Sequence, residues 1–568
     1  MPRVVVALSL LVGSSAVFVP GAFDAFSLSK LTIAAAGVGV AATCSPSGRL
    51  PRTVVGLFVV GLALVALLAL VGGTPIASLT GRFPRYEGLP VLALYVGCAW
   101  AGARLLGPSR PGRHDRFVDV VAVVSVGLAI TATLDGLGLP VTPDTAATRS
   151  GSVAGNATDL AVLGVLSLAV LLAPAVTRRR PLTVAGAAAA LVTVAAAGSR
   201  AAVAAAVLVV VVHALRLRGP ARAPIGAAAA ALVVLVLVVP ATRDRLLAGA
   251  TVTGREVLWA DSWRLARDHL ALGVGPSRYV DAIGAAHGDR WVELVGPDAP
   301  PDSPHLWPLQ ALLVGGVPLL VLAAVFTILV ALAARRRLRL DDTLGLGLVA
   351  AAAAYGLVML THFPTPATAP FALVLVGALL AEAPAATWRW TPRVALAGAV
   401  AACLLGAAAV VSDVRLRDGV EAASDGRLDD ADSAFTAAYR WRLGDGDVAM
   451  IAAQSLAADA SNDVPGAASA TERWADRSLS RTPDTYQSGL ARAVALLALD
   501  RLDEAESELD DLVSLYPAEP QARLQRALAR YGRGDAEGAL VDLTEAGRLD
   551  PDDPTPVRIA DAIDSATS

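Results

Sequence analysis

Residues 53–72 read TVVGLFVVGLALVALLALVG, a run without a single charged side chain. A transmembrane helix needs about 20 consecutive apolar residues, because each residue rises about 1.5 Å and the hydrocarbon core is about 30 Å thick. The whole chain shares this character, since 55% of its 568 residues are hydrophobic, 17% are charged and the mean hydropathy is +0.58. A soluble domain carries roughly 25% charged residues. The sequence therefore predicts a protein that spans a membrane.

Similar apolar segments recur through residues 1–412 and predict an all-α, polytopic membrane bundle of about 12–13 transmembrane helices. The first segment could be a cleaved signal peptide, but no clear small-x-small cleavage site follows it, so a retained helix is favoured. The predicted segments are residues 4–20, 30–44, 53–72, 89–107, 116–134, 157–175, 181–197, 200–216, 223–240, 308–333, 343–361, 367–382 and 393–412.

Arginine clusters fall in every second connection between these segments, as the positive-inside rule requires of cytoplasmic loops. The clusters are Arg49 with Arg52, Arg110 with Arg113 and Arg116, Arg178–Arg180, Arg216 with Arg218 and Arg222, Arg335–Arg339, and Arg389 with Arg393. This alternation predicts a multi-pass plasma-membrane protein with a cytoplasmic N-terminus. It places outside the loops near 73–88, 135–156 and 241–307 and the tail after residue 412.

The charge balance and the cysteines exclude several classes of function. The net charge of −3 gives no sign of a nucleic-acid partner. Cys44, Cys98 and Cys403 lie in or beside apolar segments without a C-x-x-C spacing, so we expect small buried side chains and neither disulfides nor zinc. The outside loops hold no Asp-x-Asp pair and the histidines no ligand-spaced pair, so we expect no metal and no cofactor.

The tail from 413 to 568 carries an internal repeat. Pro483, Pro517 and Pro551 recur at a period of 34 residues, as do Ala505 and Ala539. This is the tetratricopeptide period, and it predicts a short C-terminal α-solenoid after the transmembrane domain. The concave face of such a solenoid could bind a peptide, another enzyme or nothing, and its residues name no protein partner.

The largest outside loop, 241–307, carries several candidate site residues. Arg255, Trp259 and Trp263 share one face of a predicted helix, although tryptophans at this spacing also suit a helix anchored at the membrane interface. Gly273–Pro276 predicts a turn whose backbone N–H groups could face an anion. A proline-rich approach then delivers His305 to the outer mouth of the next helix.

Three outward arginines are unexpected in a chain whose other arginine clusters face the cytoplasm. Arg200 lies between two apolar segments, where it costs at least about 2.5–3.5 kcal/mol if it is unpaired at membrane depth. If the segments break at the outer surface, it reaches water by snorkelling. Arg85 and Arg149 lie in outside loops. Guanidinium groups in this arrangement suggest an anionic ligand, and pyrophosphate is the obvious candidate.

These residues carry a resemblance to the O-antigen ligase and polymerase superfamily of bacterial envelope glycosyltransferases, over roughly residues 25–385. Leu306 stands where the family usually has Asn, and Val314 stands at a frequently acidic position. The similar stretches are GRFPRYEG at 81–88, RSGSVAGN at 149–156, GSRA at 198–201, the segment 255–259 with GVGP at 273–276, and HLWPLQ at 305–310 followed by Gly316.

The resemblance implies a metal-independent, inverting transferase at the outer face of the plasma membrane. Its donor would be a glycan linked to a polyprenyl (undecaprenyl) diphosphate, and its acceptor a hydroxyl of a glycan, a lipid or a protein. His305 is the candidate general base, with Arg200 and Arg255 as the diphosphate clamp. The supporting substrate-binding candidates are Arg85, Arg149, Asn156 and Gly275.

Several alternatives remain open. A polymerase of glycan repeat units and a protein O-glycosyltransferase belong to the same superfamily. A polysaccharide or lipid transporter would be expected to show inverted repeats and charges at the bilayer midplane, which the sequence lacks. An envelope assembly scaffold built on the solenoid leaves the outward arginines unexplained. His362, at an outside helix end, is a second candidate for the proton transfer.

Overall fold

The computed structural model describes residues 2–142, 151–247, 253–296, 301–340, 342–384, 391–442 and 444–567. Within these ranges the regular secondary structure is helical, with turns and loops between the helices. The one strand-like feature there is an isolated antiparallel bridge between Arg49 and Glu382. The predicted all-α class is therefore confirmed.

The first 424 residues contain eighteen α-helices among the described residues, and each predicted apolar segment overlaps one of them. They are α1 (Pro2–Gly13), α2 (Ser27–Thr43), α3 (Arg52–Val71), α4 (Pro75–Thr80), α5 (Leu89–Leu106), α6 (Gly112–Gly136), α7 (Ala157–Arg178), α8 (Pro181–Ala197), α9 (Arg200–Arg216), α10 (Arg222–Val238), α11 (Pro240–Leu247), α12 (Thr253–Asp268), α13 (Tyr279–Ala282), α14 (Asp289–Leu294), α15 (Trp307–Arg337), α16 (Thr343–Val358), α17 (Ala369–Leu380) and α18 (Thr391–Ser424).

Length and composition show which helices can cross a bilayer. In the described part of the chain, seven are long and apolar enough: α3, α5, α6, α7, α10 with the turn before it, α15 and α18. Five other apolar helices are shorter, namely α1 with the turn after it, α2, α8, α16 and α17. The protein is thus a multi-pass membrane protein, while the total number of crossings and their direction stay predictions.

Small residues allow the helices of the bundle to pack closely. α7 lies at the centre, with almost all of its side chains buried against α6, α8, α9 and α16. α5 and α17 approach so closely that a Cβ added at Gly102 would lie 2.0 Å from the carbonyl oxygen of Val374, and one at Gly377 would lie 1.8 Å from that of Ala99. Such contacts replace the hydrophobic driving force that is absent in lipid.

α15 is interrupted at Gly315 and Gly316, which have non-helical backbone angles. The loop before the helix fills the break, because the N–H of Val274 donates to the carbonyl of Leu313 at 2.7 Å. Gly316 has φ of 63°, and a Cβ there would lie 2.5 Å from the carbonyl oxygen of Ala271. The loop of residues 241–307 is therefore held against the membrane domain at the break in α15.

The C-terminal region is a series of packed helix pairs. It starts from α18, a helix shared with the membrane domain. The predicted boundary after residue 412 falls inside α18, and the division into two domains stays a prediction. Consecutive and alternate helices pack on one another, and Ala505 and Ala539 are fully buried between them, which confirms the solenoid. The helices are α19 (Leu428–Trp441), α20 (Gly446–Ser461), α21 (Ala467–Leu479), α22 (Tyr486–Ala498), α23 (Leu502–Leu515), α24 (Pro520–Gly532), α25 (Ala536–Leu549) and α26 (Thr555–Thr567).

Candidate functional site

His305 lies immediately before the first turn of α15 and is held by a stiff approach. Its φ is 49°, in the left-handed region that costs a residue other than glycine about 1–3 kcal/mol. Its N–H donates to Ser303 Oγ at 3.0 Å, and Trp259 Nε1 donates to the carbonyl of Pro304 at 2.9 Å. Trp259, predicted on one helix face with Arg255, therefore fixes the segment that carries the histidine.

A second histidine lies beside the first. The ring centroids of His305 and His362 are 6.3 Å apart, and the ring of Phe363 packs against both, at 5.0 and 4.7 Å. His362 Nε2 donates to Asp159 Oδ1 at 2.9 Å, and both side chains are buried. A carboxylate in this position fixes the tautomer of the imidazole and presents Nδ1 as the acceptor.

Arg85 lies on one side of this pair. Its guanidinium carbon is 3.9 Å from the ring centroid of Phe363, and its NH1 donates to the carbonyl of Asp302 at 3.3 Å. It also forms an ion pair with Glu87, which accepts a hydrogen bond from Gln310 Nε2 at 3.3 Å. Burial raises the pKa of Glu87, while the Arg85 charge opposes that rise. Arg85 is therefore fixed in position and already paired.

Arg200 and Arg255 lie within electrostatic range of each other, and Arg255 lies within electrostatic range of His305. Gly198, with φ of 62°, ends α8, and Arg200 is the first residue of α9. The two apolar segments therefore break at Arg200, as in the interpretation in which this side chain snorkels to water. Arg200 Nε donates to the carbonyl of Arg245 at 2.8 Å. Partial burial, followed by the charges of Arg245 and Arg200, lowers the pKa of Arg255. Three cations therefore stand within electrostatic range of one another.

The charges of Arg85 and Arg255 both act on the pKa of His305. Burial, followed by the charges of His362, Arg255 and Arg85, lowers its pKa to about 3. The structure thus brings together His305, Arg255 and Arg85, and it joins Arg200 to them through Arg255. At neutral pH the imidazole is uncharged and retains a lone pair that can accept a proton.

Four buried polar atoms around this point have no hydrogen-bond partner in the described part of the chain. They are His305 Nδ1, Arg85 Nε, Gln310 Oε1 and Ser277 Oγ. Buried polar groups in proteins are nearly always paired, so a cluster of unpaired ones requires water or a ligand. The cluster marks the place where a polar substrate would complete the hydrogen bonding.

An apolar cavity of about 350 Å³ lies between α3, α5 and α15 and ends at this cluster. Its walls are made mostly by aliphatic and aromatic side chains, including Phe58, Leu62, Val96 and Phe326. Its polar lining residues are Glu87, Ser277 and Gln310. A hydrocarbon chain could therefore occupy the cavity while its polar end reaches Ser277, Gln310 and Glu87.

The remaining predicted substrate-binding residues are placed less directly. Arg149 lies outside the described residues. Asn156 caps α7, because its Oδ1 accepts from the N–H of Thr158 at 2.7 Å. Gly275 has φ of 104°, and a Cβ there would lie 3.6 Å from the side chain of Arg278, while the neighbouring N–H of Val274 donates to the carbonyl of Leu313. Roles for these residues stay predictions.

Sequence reasoning missed several neighbours of His305. Glu87 and Gln310 lie inside stretches already recognised as similar to the family, so their polarity was a usable signal. Asp159 follows the cap of α7, but nothing local indicated its contact with His362. Arg245 gave no signal at all. Across the described residues, no group of three or more His, Cys, Asp or Glu side chains could hold a metal ion.

Comparison with known proteins tests the resemblance. A family model described as O-antigen ligase matches residues 185–324, less than half of the chain. A comparison with curated proteins finds no match. Among solved structures, the crystal structure of the yeast Tom70 aligns at a TM-score of 0.25 and 12% identity, over 84% of this chain and 96% of that one, a likeness too low to carry any argument. Residues 185–324, which include Arg200, Arg255 and His305, are thus similar to an O-antigen ligase domain, as the sequence predicted.

Proposed function

We propose that the protein transfers a glycan from a polyprenyl diphosphate to an acceptor hydroxyl at the outer face of the plasma membrane. One observation carries the proposal: His305, whose pKa is lowered by burial and by the charges of His362, Arg255 and Arg85, is near the Arg85–Glu87–Gln310 chain, and Gln310 lines an apolar cavity. The similarity of residues 185–324 to O-antigen ligase supports a membrane enzyme that transfers glycans.

The chemistry is a single displacement. His305 accepts the proton of the acceptor hydroxyl as the hydroxyl oxygen bonds to the anomeric carbon of the donor sugar. The bond from that carbon to the diphosphate oxygen breaks, and the electron pair leaves with the lipid diphosphate. Attack from the face opposite the leaving group inverts the configuration. His305 then releases its proton to water or to the departing diphosphate.

The arginines stabilise the leaving group. A polyprenyl diphosphate gains negative charge as the glycosidic bond breaks, and guanidinium groups can hold its oxygens through paired hydrogen bonds. Arg200 and Arg255 supply these groups in our proposal, with Arg245 adding charge. Binding of the anion also relieves the repulsion among the cations and raises the pKa of His305 from its low value in the free protein, which improves it as a base.

The cavity suits the lipid part of the donor. Isoprene units are purely hydrocarbon, and the walls between α3, α5 and α15 offer them an apolar lining within the membrane domain. The polar part of the donor would then emerge near Ser277 and Gln310, whose buried polar atoms lack partners among the described residues.

The test is transfer by purified protein in lipid vesicles, with a polyprenyl-diphosphate glycan as donor. We expect product in excess EDTA, because arginines take the place of a metal ion. Loss of activity on chelation, restored by magnesium or manganese, would overturn the metal-independent clamp. Donor consumption without a glycosylated product would overturn the function itself.

A repeat-unit polymerase is the second candidate, because the same site serves either acceptor. Envelope glycans from a deletion strain separate the two activities. Shortened chains indicate a polymerase, whereas accumulation of lipid-linked polymer indicates a ligase. Transfer to a protein hydroxyl would instead leave an unglycosylated polypeptide.

The proposal also requires the site and the solenoid to face outward. The positions along α7 support this arrangement, because Asp159, the partner of His362, lies in its first turn, whereas Arg178 of a predicted cytoplasmic cluster lies in its last turn. In a protein without its native cysteines, Ser568→Cys should react with a membrane-impermeant thiol reagent in intact spheroplasts. Labelling that appears after lysis alone would reverse the topology.

A further inference from the structure

A short closed loop carries Arg85 to the site. Residues 81–88, here the arginine loop, begin and end with glycines that touch each other. Gly81 has φ of 91°, and a Cβ at Gly88 would lie 2.2 Å from the carbonyl carbon of Thr80. The neck of the loop therefore excludes any larger residue, and the loop is held as a unit above α5.

One face of the arginine loop is bound by the repeat domain. Arg82 is buried, and its Nε donates to Asp447 Oδ1 at 2.6 Å while its NH1 donates to Asp281 Oδ2 at 2.5 Å. The N–H of Phe83 donates to the second oxygen of Asp447 at 2.7 Å. Asp447 belongs to the first turn of α20 in the solenoid. A single repeat-domain carboxylate thus holds both the side chain and the backbone of the loop.

Arg82 and its two carboxylates also connect the loop of residues 241–307 to the repeat domain. Asp281, in α13, accepts a hydrogen bond from Thr485 Oγ1 at 3.3 Å, and its carbonyl accepts one from the hydroxyl of Tyr516 at 3.2 Å. Arg278 pairs with Asp484 beside them. Three separate parts of the chain, namely the arginine loop, α13 and the solenoid, therefore converge on Arg82.

The opposite face of the arginine loop meets the candidate site. Arg85 packs over Phe363 and pairs with Glu87, while Arg82, three residues earlier, points into the repeat domain. Because the loop is closed at its neck, a displacement of Arg82 must displace Arg85. The repeat domain is thereby connected to the surroundings of His305 through only a few bonds.

We propose that the repeat domain is a built-in positioning element of the transferase site, in which Asp447 and Asp281 hold Arg82 so that Arg85 stands correctly beside His305. Arg82 is a positioning residue that acts through Arg85 and touches no substrate. This inference rests on the proposed function. It gives the solenoid a role inside its own chain, independent of any partner on its concave face.

The experiment compares Arg82→Ala with Arg526→Ala in the full-length protein. Arg526 is the matched control, because it also bridges two carboxylates, Asp542 at 2.6 Å and Asp510 at 2.8 Å, but does so within the solenoid. We expect Arg82→Ala to raise the donor KM and the Kd of the polyprenyl-diphosphate glycan by about tenfold or more, since small misplacements of positioning groups have large effects. Arg526→Ala should leave both constants within about twofold of the wild-type values.

A double-mutant cycle separates positioning from general damage. In an Arg85→Ala background, adding Arg82→Ala should change the donor KM by less than about twofold, because the residue through which Arg82 acts is already gone. If Arg82→Ala does not reach the membrane, Asp447→Asn replaces it as the test variant, because asparagine keeps the size of the side chain and removes its charge. We expect an intermediate rise in KM from that variant.

The failures of the two proposals are distinguishable. Equal effects of Arg82→Ala and Arg526→Ala, or full additivity with Arg85→Ala, would overturn the positioning role while leaving the transferase intact. If wild-type protein binds the polyprenyl-diphosphate glycan but yields no transferred glycan, the function fails. The binding comparison between the variants still tests whether Arg82 positions Arg85.

Discussion

Arg85 and Arg255 both lower the pKa of His305, but their own electrostatic settings are opposite. Arg85 is buried, stacked on Phe363 and paired with the carboxylate of Glu87. Arg255 is exposed on α12, and the charges that act on it are those of two further arginines, Arg245 and Arg200. The charge of Arg85 is therefore balanced by a carboxylate, while the charges that act on Arg255 are positive.

The difference indicates which side takes which part of the substrate. A dianionic diphosphate near Arg85 would compete with Glu87, whereas near Arg255 it relieves repulsion among cations. We therefore place the diphosphate on the Arg200–Arg255 side and assign Arg85 to orienting His305 and the sugar. Four predictions test this assignment, starting from the residue that both sides share.

His305→Gln should lower transfer by at least about a hundredfold, because glutamine keeps hydrogen bonding but cannot accept a proton at neutral pH. His269→Gln is the matched control, since His269 lies exposed in the same outside loop. Product formation per folded protein is the measurement, with donor binding followed separately. Near-normal turnover in His305→Gln would transfer the base role to His362 or to the substrate.

Arg255→Lys and Arg200→Lys should each lower kcat/KM for the donor by about ten- to a hundredfold. An ammonium group keeps the charge but cannot reproduce the paired hydrogen bonds of a guanidinium group. Arg243→Lys, on the neighbouring helix and paired with Asp244, serves as the control. If both site variants keep wild-type kcat/KM, the diphosphate does not bind on this side.

Arg85→Lys should cost less, about tenfold in kcat/KM, because Arg85 orients groups without holding the leaving group. Glu87→Gln should change kcat/KM by about threefold or less, since glutamine still accepts a hydrogen bond from Arg85. Steady-state kinetics of both variants give the answer. A larger loss in Arg85→Lys than in Arg255→Lys would reverse the assignment of the two sides.

The pH dependence should show the smallest effect. An ordinary histidine titrates near pH 6.5, but burial and nearby positive charge lower the pKa of His305 to about 3. The free protein therefore keeps its uncharged base as the pH falls from 8 to 5, and kcat/KM should stay nearly constant. Bound diphosphate favours the imidazolium, so kcat should fall at a higher pH than kcat/KM does. Half-loss of kcat/KM near pH 6.5 would contradict the buried, cation-flanked histidine.

Much of the fold could be predicted because its signals are local. Each apolar run became a helix, and the 34-residue period of Pro483, Pro517 and Pro551 became a solenoid. The boundaries were less predictable: α18 continues through residue 412, because a helix that is apolar at one end and amphipathic at the other gives no composition signal for a break.

The candidate site was predictable in part. The proline-rich approach identified His305, and the predicted outward placement of Arg200 and Arg255 separated them from the arginine clusters predicted to be cytoplasmic. The pairing of His362 with Asp159 escaped prediction, because it joins residues 203 positions apart. So did Arg82, which looked like one more loop arginine until its partner appeared 365 positions away.

The sequence by itself determined that the first part of the chain is apolar enough for a membrane and that the tail is not. It also determined the helical class, the repeat and the residue types available for the chemistry, because hydrophobicity and periodicity are properties of neighbouring residues. The tertiary structure alone decided which arginine meets a carboxylate and which meets other arginines. It also decided that the solenoid holds the arginine loop. Charge interactions act through space, and no short-range pattern records which distant side chain will bring an opposite charge.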